Sequence, residues 1–469
     1  MAQKLFLGYK LRRLRDARKL SQAALAGLLE VSPSYLNQIE NNQRPLTVPV
    51  LLRIAKVFDV ELGSLIDDED ARLIADLREA MSDPVFGGEP ARLAELRTAV
   101  DASPDLVRRL LVLFRSYQQL NDRMQWLSEN LSVPPSAPNF PYEAVRDFFY
   151  ANNNYFDALD EAAERLWASE GYRSDELPRQ LTETLRERHG IHVRVVAEGD
   201  PSALRSYDEA SRTLTLSAFQ DAPSRTFQLA HRVGIFGFRD LIDRLVAQAN
   251  LPNEDARSIC RVGLANYFAG ALMMPYRDFA RQAADLRHDI EILQVRFGAS
   301  FEQVAHRLST LQRPGARGVP FYFFRIDMAG NITKRHSATS FHFTRFGGAC
   351  PLLNVHEAFL QPGRILSQYT RTPEGIAYIG IAQAITKRGG AYSRPDRRYA
   401  IGLGCEAVHA SELVYASGLD LANPEAATPI GVNCRVCERN DCQHRAFPMI
   451  GSRITADEDN RSAIPYAFG

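Results

Sequence analysis

The sequence has no excess of charge of either sign. Its 469 residues include 56 Lys plus Arg and 56 Asp plus Glu, so the formal net charge is zero. This balance excludes binding to nucleic acid through overall charge, and any such binding must rest on a local basic patch. The chain also lacks an apolar run near the ~18 residues that span a bilayer, and its N-terminus lacks the apolar segment of a signal peptide. We therefore expect a cytoplasmic protein that does not enter a membrane.

Cysteine is also scarce. Six cysteines in a reducing compartment argue against disulfides and favour free thiols or metal ligands. Hydrophobic residues make up 45% of the chain, which is ordinary for a globular protein with a large core. At ~100–200 residues per domain, the length predicts roughly three domains.

The N-terminal segment has the pattern of a helix-turn-helix. Apolar residues recur at helical spacing between Leu11 and Phe58. Ser21 is suited to cap one helix, and Ser32 with Pro33 to begin the next. Residues 1–20 are strongly basic, as expected of a segment that neutralises DNA phosphates beside a reading helix.

The second helix of this motif would present short polar and amide side chains. Asn and Gln pair bidentately with adenine, and Ser serves any base; a Gln at a helix N-terminus suits a phosphate. The candidate DNA contacts are Gln22, Ser32, Ser34, Tyr35, Asn37, Gln38, Asn41 and Arg44. Residues 8–66 resemble the XRE (Cro/C1-type) repressors, a resemblance that implies a structural role for Glu40. An ordinary helical bundle with a basic face is the alternative.

Residues 67–131 are predicted to be helical, with helices at 71–81, 90–100 and 104–131. The last has apolar residues near heptad spacing, which are Leu106, Leu110, Leu113, Leu120, Met124 and Leu127. This stripe predicts either an internal helical layer or a dimer interface, since helix-turn-helix readers bind two half-sites as dimers; a tetramer stays open. Residues 133–138 are a stiff proline-rich linker.

The middle of the chain is predicted to contain helices within 140–170 and at 177–189, strands at 192–196 and 212–216, and a long helix at 225–248. The long helix and residues 264–275 resemble the ImmA/IrrE family, a zincin-like fold. The active family version carries His-Glu-x-x-His and a further Glu, which hold zinc and activate water.

In this sequence that metal motif is degenerate. His231 remains, but Arg232 occupies the general-base position, Ile235 the second His and Leu264 the further Glu. One His cannot hold a zinc that needs three protein ligands. We therefore predict no peptidase activity and no catalytic residue, with His231 in a core or pocket. Residues 289–311 have the spacing of a second helix-turn-helix but lack a basic flank. We therefore predict that this segment packs within the protein and does not read DNA.

The C-terminal part is predicted to be an α+β sensory module of GAF or PAS type. Strands are expected at 320–326, 332–337, 376–385 and 398–404, with a hairpin turn at 327–331. Helices are expected near 351–360 and 406–416. Phe and Tyr residues near 321–324 and 341–346 suit either the lining of an acyl-chain pocket or the core.

Cysteines near the C-terminus are candidate metal ligands. Cys434, Cys437 and Cys442 form Cys-x2-Cys-x4-Cys, with Cys350 or Cys405 as a possible fourth thiolate. Such a set suits a zinc site or an iron–sulfur cluster, and spacing does not separate the two metals. His444 leaves a mixed zinc site open, and unliganded thiols are the alternative.

A basic, glycine-containing loop follows the third predicted strand. Two glycines beside basic residues can bring backbone amides against phosphates. The candidate coenzyme A contacts are Lys387, Arg388, Arg394, Arg397 and Arg398. A solvated loop without a ligand is the alternative.

Taken whole, the chain resembles the short-chain fatty acyl-CoA regulators, which are XRE transcription factors with a degenerate ImmA/IrrE domain. The residues that carry the resemblance are the cysteine-containing segments 347–351 and 431–437. The family includes regulators of acetate assimilation, of the methylcitrate route and of propionyl-CoA carboxylase. The resemblance implies an acyl-CoA effector in the C-terminal half and, in some members, a [4Fe–4S] cluster on these cysteines.

The resulting prediction is a multidomain, non-enzymatic regulator. We expect an all-α DNA-binding head at 1–66, a helical linker or dimerisation region at 67–138, an α+β zincin-like domain at 139–315 and an α+β sensor at 316–469. A homodimer of this chain would bind promoter DNA and respond to propionyl-CoA or acetyl-CoA, controlling acyl-CoA assimilation genes. The alternatives are a redox or iron sensor that uses the cysteine cluster and an ImmA-type metalloprotease.

Overall fold

The computed structural model describes residues 8–40, 43–44, 46–58, 69–87, 91–129, 141–197, 203–341, 343, 348–449, 454–456, 459, 463–464 and 466–468. The chain divides into two compact units. One consists of residues 1–127 with 450–452, and the other of residues 128–449 with 453–469. In the part described, no helix is both long enough and apolar enough to cross a membrane.

The first unit begins with a small helical domain. Its helices are α1 (Gly8–Ala17), α2 (Gln22–Leu28), α3 (Pro33–Glu40) and α4 (Val48–Phe58). Leu25, Leu36 and Ile39 are fully buried in its core. The predicted caps are confirmed: the Ser21 hydroxyl accepts the Ala24 N–H at 3.1 Å, and the Ser32 hydroxyl accepts that of the third residue of α3, also at 3.1 Å.

A separate helical layer follows in the same unit. It consists of α5 (Glu69–Met81), α6 (Leu93–Ala102) and α7 (Pro104–Glu129). Leu77, Leu96 and Leu111 are among its buried residues. Because α7 packs through only part of its circumference, other apolar side chains on it stay exposed. The helix therefore belongs to an internal layer and also presents an apolar outer face.

The second unit opens with a mixed helix and sheet domain. Its elements are α8 (Pro141–Ala151), α9 (Asp157–Glu170), α10 (Leu177–His189), β1 (His192–Val196), β2 (Arg205–Asp208), β3 (Thr213–Ser217), α11 (Ala222–Gly237), α12 (Arg239–Gln248), α13 (Glu254–Met273), α14 (Tyr276–Asp285), α15 (Ile290–Phe297) and α16 (Phe301–Ser309). The sheet order is β1-β3-β2, with β1 parallel and β2 antiparallel to β3.

Two features of this domain differ from the prediction. The single helix expected at 225–248 is two helices, because Phe238 leaves helical geometry at φ −132° and ψ 25°. The edge strand β2 was not predicted, since its four residues Arg-Ser-Tyr-Asp are half-exposed or exposed and carry no apolar run. The prediction that residues 289–311 pack internally is confirmed, because α15 and α16 contribute buried apolar side chains to the main core.

The C-terminal part of this unit is built on a larger sheet. Its elements are β4 (Tyr322–Asp327), β5 (Ile332–Ser337), α17 (Asn354–Ala358), β6 (Leu366–Arg371), β7 (Ala377–Lys387), β8 (Arg397–Glu406) and β9 (Thr428–Pro429). The order is β5-β4-β8-β7-β6-β9, antiparallel except for the β6–β9 pair. A further short pair, β10 (Ile454–Thr455) and β11 (Ala467–Phe468), is antiparallel. The four predicted strands are confirmed, whereas β6 and β9 were missed.

The aromatic residues of this sheet are core residues. Phe323 belongs to the main core, while Tyr322 and Phe324 point into a second cluster on the other face, as expected for alternating side chains. The Tyr322 and Phe341 rings lie 4.9 Å apart. A Cβ atom at Gly404 would stand 2.3 Å from the Tyr322 hydroxyl oxygen, so glycine there makes room for the ring. Of the residues expected near 341–346, positions 342 and 344–346 lie outside the described residues.

Candidate DNA-reading and effector sites

Helix α3 presents a polar face to solvent. Ser34 and Asn37 are exposed, while Leu36 and Ile39 are buried. The neighbouring candidates Ser32 and Arg44 are exposed and Tyr35 and Gln38 half-exposed. The guanidinium carbon of Arg44 lies 5.3 Å from the Tyr35 ring centroid. Asn41 lies outside the described residues.

Gln22 and Glu40 hold the two helices of the motif together. The Gln22 side-chain amide donates to Glu40 Oε2 at 2.7 Å and to Asn37 Oδ1 at 3.3 Å. Arg15 Nε donates to Glu40 Oε1 at 2.7 Å, and Glu40 is 6% exposed. Glu40 is therefore a structural residue, as predicted. Both N–H groups of the Gln22 side-chain amide are used within the motif, so Gln22 positions α3 and its predicted phosphate contact has no free donor here.

The degenerate metal motif lies on α11, and the described residues there form no set that could bind a metal ion. His231 is 2% exposed, and its Nε2 lies 3.1 Å from Arg205 Nη2. Leu264 is fully buried, and Ile235 packs against the same core. Burial, with the charges of Arg205 and Arg232, lowers the pKa of His231 to about 3. A cationic guanidinium thus stands at the nitrogen that would bind a metal.

The cysteines form two separate environments. Cys350 lies close enough to Cys434 and Cys437 to interact with them electrostatically, and Cys437 is similarly close to Cys442. Cys405 is buried in the main core on β8, beside Glu412 and Glu406. The structure therefore favours Cys350 over Cys405 as the neighbour of the C-terminal trio. No three His, Cys, Asp or Glu side chains among the described residues converge into a group that could hold a metal ion.

Burial and hydrogen bonding act in opposite senses on the pKa values of the thiols in the cysteine loop, and burial has the larger effect. Burial raises the pKa of the Cys350 thiol, while backbone N–H groups of Gly431 and Leu352 act in the opposite sense. Burial likewise raises the pKa of Cys437, opposed by the Arg439 N–H. Hydrogen bonds to sulfur of this kind favour the charged form. The buried Arg445 guanidinium donates to the Cys434 and Cys437 carbonyls at 2.7 and 2.8 Å.

The predicted coenzyme A loop is the hairpin between β7 and β8. Arg388, Arg394, Arg397 and Arg398 are exposed, but Lys387 Nζ lies 2.6 Å from Glu302 Oε2. The Gly389 N–H donates to Asp396 Oδ1 at 2.9 Å. Its amide is therefore occupied within the loop, and the four arginine side chains provide the accessible positive charge.

Glu302 was missed by the sequence reasoning. This α16 residue also accepts from Arg325 at 2.8 Å. Burial raises its pKa, but Lys334, Lys387 and Arg325 outweigh that effect and lower the pKa to about 2. The local sequence around Glu302 does not indicate that it pairs with several cations, because those cations follow it by 23 or more residues.

The comparisons with known proteins agree with the order of these parts. Residues 11–65 match the description "Helix-turn-helix", residues 186–309 match "IrrE N-terminal-like domain", and residues 310–466 match "Short-chain fatty acyl coenzyme A regulator, C-terminal". The propionyl-CoA carboxylase regulator of Cereibacter sphaeroides is 48% identical over 468 residues, covering 99% of each chain. The chain belongs to the short-chain fatty acyl-CoA regulators.

Further relatives of this regulator come from Mycobacterium tuberculosis. The HTH-type transcriptional regulator PrpR is 44% identical, over 98% of this chain and 96% of its own. The HTH-type transcriptional regulator RamB is also 44% identical, over 99% and 98%. A solved structure of a transcriptional regulator from that organism matches with a TM-score of 0.67 and 47% identity, over 70% of this regulator and 99% of its own chain. These relatives carry the names of transcriptional regulators and not of peptidases.

Proposed function

We propose that this regulator binds promoter DNA through α3 and responds to propionyl-CoA or acetyl-CoA, controlling genes of acyl-CoA assimilation in the cytoplasm. The observation that carries the proposal is the polar, exposed face of α3 on a chain whose residues 310–466 match the acyl-CoA regulators. The effector would bind one arrangement of the protein better and so shift the population that fits DNA. A GAF- or PAS-type sensor is supported by the antiparallel order β5-β4-β8-β7-β6.

The test is a titration of propionyl-CoA, acetyl-CoA and free CoA into a promoter-binding assay at fixed salt. We expect at least one of the three to change DNA affinity. Failure of all three would overturn the effector assignment while leaving the DNA-reading assignment intact. Loss of sequence preference in Asn37→Ala would support base contact, since a bidentate amide contact contributes about 1–3 kcal/mol of discrimination.

We propose that the hairpin between β7 and β8 binds the phosphates of the effector. Arg397 and Arg398 are exposed and form no ion pair with described residues, and arginine binds phosphate bidentately. An Arg397→Gln, Arg398→Gln chain should bind CoA more weakly. The matched control is Arg244→Gln, which removes an exposed arginine from α12. If the double variant and Arg244→Gln bind CoA with equal affinity, the phosphate-binding site lies elsewhere.

We infer that the regulator is a homodimer and that α7 is its interface. Leu106, Leu113 and Leu120 are 67%, 67% and 59% exposed and lie seven residues apart, the repeat of a self-complementary coiled-coil seam. Leu113→Asp should reduce the mass measured by light scattering. Val112→Asp is the matched control, because Val112 is 59% exposed but lies off this line. A Leu113→Asp chain with unchanged mass would contradict the interface.

We also propose Cys350, Cys434, Cys437 and Cys442 as the set that would hold a metal centre, an iron–sulfur cluster or zinc. These thiols do not converge into a metal-holding group among the described residues, so binding would have to draw them together. The support is the proximity of Cys350 to Cys434 and Cys437 and the N–H groups directed at the sulfurs. When bound, such a centre would crosslink the 350 and 434–442 segments. Metal content and the visible spectrum of anaerobically purified protein distinguish iron–sulfur from zinc.

A further inference from the structure

The degenerate zincin centre contains an unusual set of hydrogen-bond donors. Arg205 on β2 donates to Gln228 Oε1 at 2.6 Å and to His231 Nε2 at 3.1 Å. An arginine can only donate, so Nε2 is the acceptor and the proton of the neutral imidazole lies on Nδ1. That Nδ1–H is buried without a hydrogen-bond partner. Arg232 Nε is likewise buried without one.

Positive charge at this centre is not balanced. Neither Arg205 nor Arg232 forms an ion pair with a described residue, and each is only partly exposed. Arg232 lies over the rings of Tyr207 and Phe236, at 5.3 and 6.0 Å to the ring centroids. Desolvation, with the charge of Arg232, lowers the pKa of Arg205 to about 10. Two coupled cations without a counter-charge are costly in a folded protein unless something pairs with them.

The polar groups at this centre indicate which kind of partner they lack. The unpartnered nitrogens at Arg232 and His231 are donors, and the second guanidinium adds further donors beside them. Two other arginines of this unit each meet a carboxylate: Arg307 pairs with Asp160 and Arg313 with Glu164 at 3.0 Å. The centre beside α11 has the two guanidinium groups of Arg205 and Arg232, but no carboxylate among the described residues pairs with them. Its missing component is an anionic acceptor.

We propose that Arg205, Arg232 and His231 form a binding site for an oxyanion, a phosphate or carboxylate group, in place of the lost metal. Guanidinium groups match the planar geometry of either anion. The site lies beside the edge strand β2, which is half-exposed, so a ligand can enter from solvent. The inference goes beyond the proposed function, since neither DNA reading nor the response to acyl-CoA gives these residues a role.

The experiment measures anion-specific stabilisation of the full-length protein. Thermal unfolding and calorimetric titration are compared in phosphate, malonate and chloride at equal ionic strength. We expect phosphate or malonate to raise the unfolding temperature relative to chloride, because a ligand that binds only the folded state stabilises it. Whichever anion acts identifies the group, and CoA as a third probe shows whether that phosphate is carried by the larger ligand.

The variants assign the effect to this centre. Arg232→Gln should weaken anion affinity at least tenfold. Without anion, the variant should unfold at no lower temperature than the wild type, because loss of an unbalanced, partly buried charge with an unpaired Nε offsets loss of the contacts with the Tyr207 and Phe236 rings. Arg205→Gln should weaken affinity to a similar extent, and Arg244→Gln, the exposed control, should retain it. The proposal is overturned if phosphate, malonate and chloride stabilise the wild type equally, or if Arg232→Gln binds as tightly as Arg244→Gln.

Discussion

The ion pair between Asp160 and Arg307 should contribute more to stability than any surface pair in the chain. Asp160 is fully buried and Arg307 is 3% exposed. The Asp160 carboxylate also accepts the Tyr267 hydroxyl at 2.5 Å, and Arg307 Nε donates to the Met274 carbonyl at 3.0 Å. The network joins α9, α13 and α16, three helices that the sequence separates widely.

Asp160→Asn tests this network with little change of shape. The substitution leaves a buried guanidinium without its counter-charge, so we expect a loss of about 3–5 kcal/mol in the free energy of unfolding. That is a large fraction of the ~5–15 kcal/mol typical of a folded domain. Arg307→Met should cost a similar amount, because it leaves the carboxylate uncompensated. The double variant should recover much of the loss, since it buries no unpaired charge.

The assay is urea unfolding followed by tryptophan fluorescence. Trp167 donates its indole N–H to the Leu272 carbonyl and so reports on the contact between α9 and α13. Arg165→Ala is the control: its pair with Glu161 is 68% and 53% exposed, and such pairs contribute about 0–1 kcal/mol. The reasoning is refuted if Asp160→Asn costs no more than this control, or if the double variant loses the sum of the two single losses.

Three further predictions concern the second unit and the reading helix. The pKa of Glu302 is lowered to about 2. Its ionised form therefore contributes about 3 kcal/mol to the free energy of unfolding above pH ~4.5, and this contribution is lost as the pH falls towards 2. Measurements of unfolding free energy against pH should show this loss in the wild type and not in Glu302→Gln. Cys437→Ser should lower the iron or zinc content of purified protein, whereas Cys405→Ser should leave it unchanged. Glu40→Gln should weaken binding to specific and random DNA alike, measured by fluorescence anisotropy, because it loosens the anchoring of α3 and touches no base.

Several parts of this molecule follow from local sequence. The caps at Ser21 and Ser32, the alternation of buried Leu36 with exposed Asn37, and the loss of the zinc motif around His231 are visible in segments of a few residues. Their physical basis is short-range: a hydroxyl reaches an N–H three residues away, and helical periodicity assigns faces. The break between α11 and α12 has no such local signal, because a change of backbone geometry at one residue, Phe238, leaves the apolar period almost intact.

Other features were decided only by the tertiary fold. Spacing left Cys350 and Cys405 equivalent, whereas the fold buries Cys405 in the sheet and brings Cys350 to the C-terminal trio. The sequence predicts Lys387 as a phosphate contact, but in the fold its ammonium group pairs with Glu302 of α16. Arg205 meets His231 through a strand that carries no apolar signal. The motifs of this chain are local, but the charge pairs of Glu302 and Asp160 join residues 23 to 147 positions apart, and only packing selects those partners.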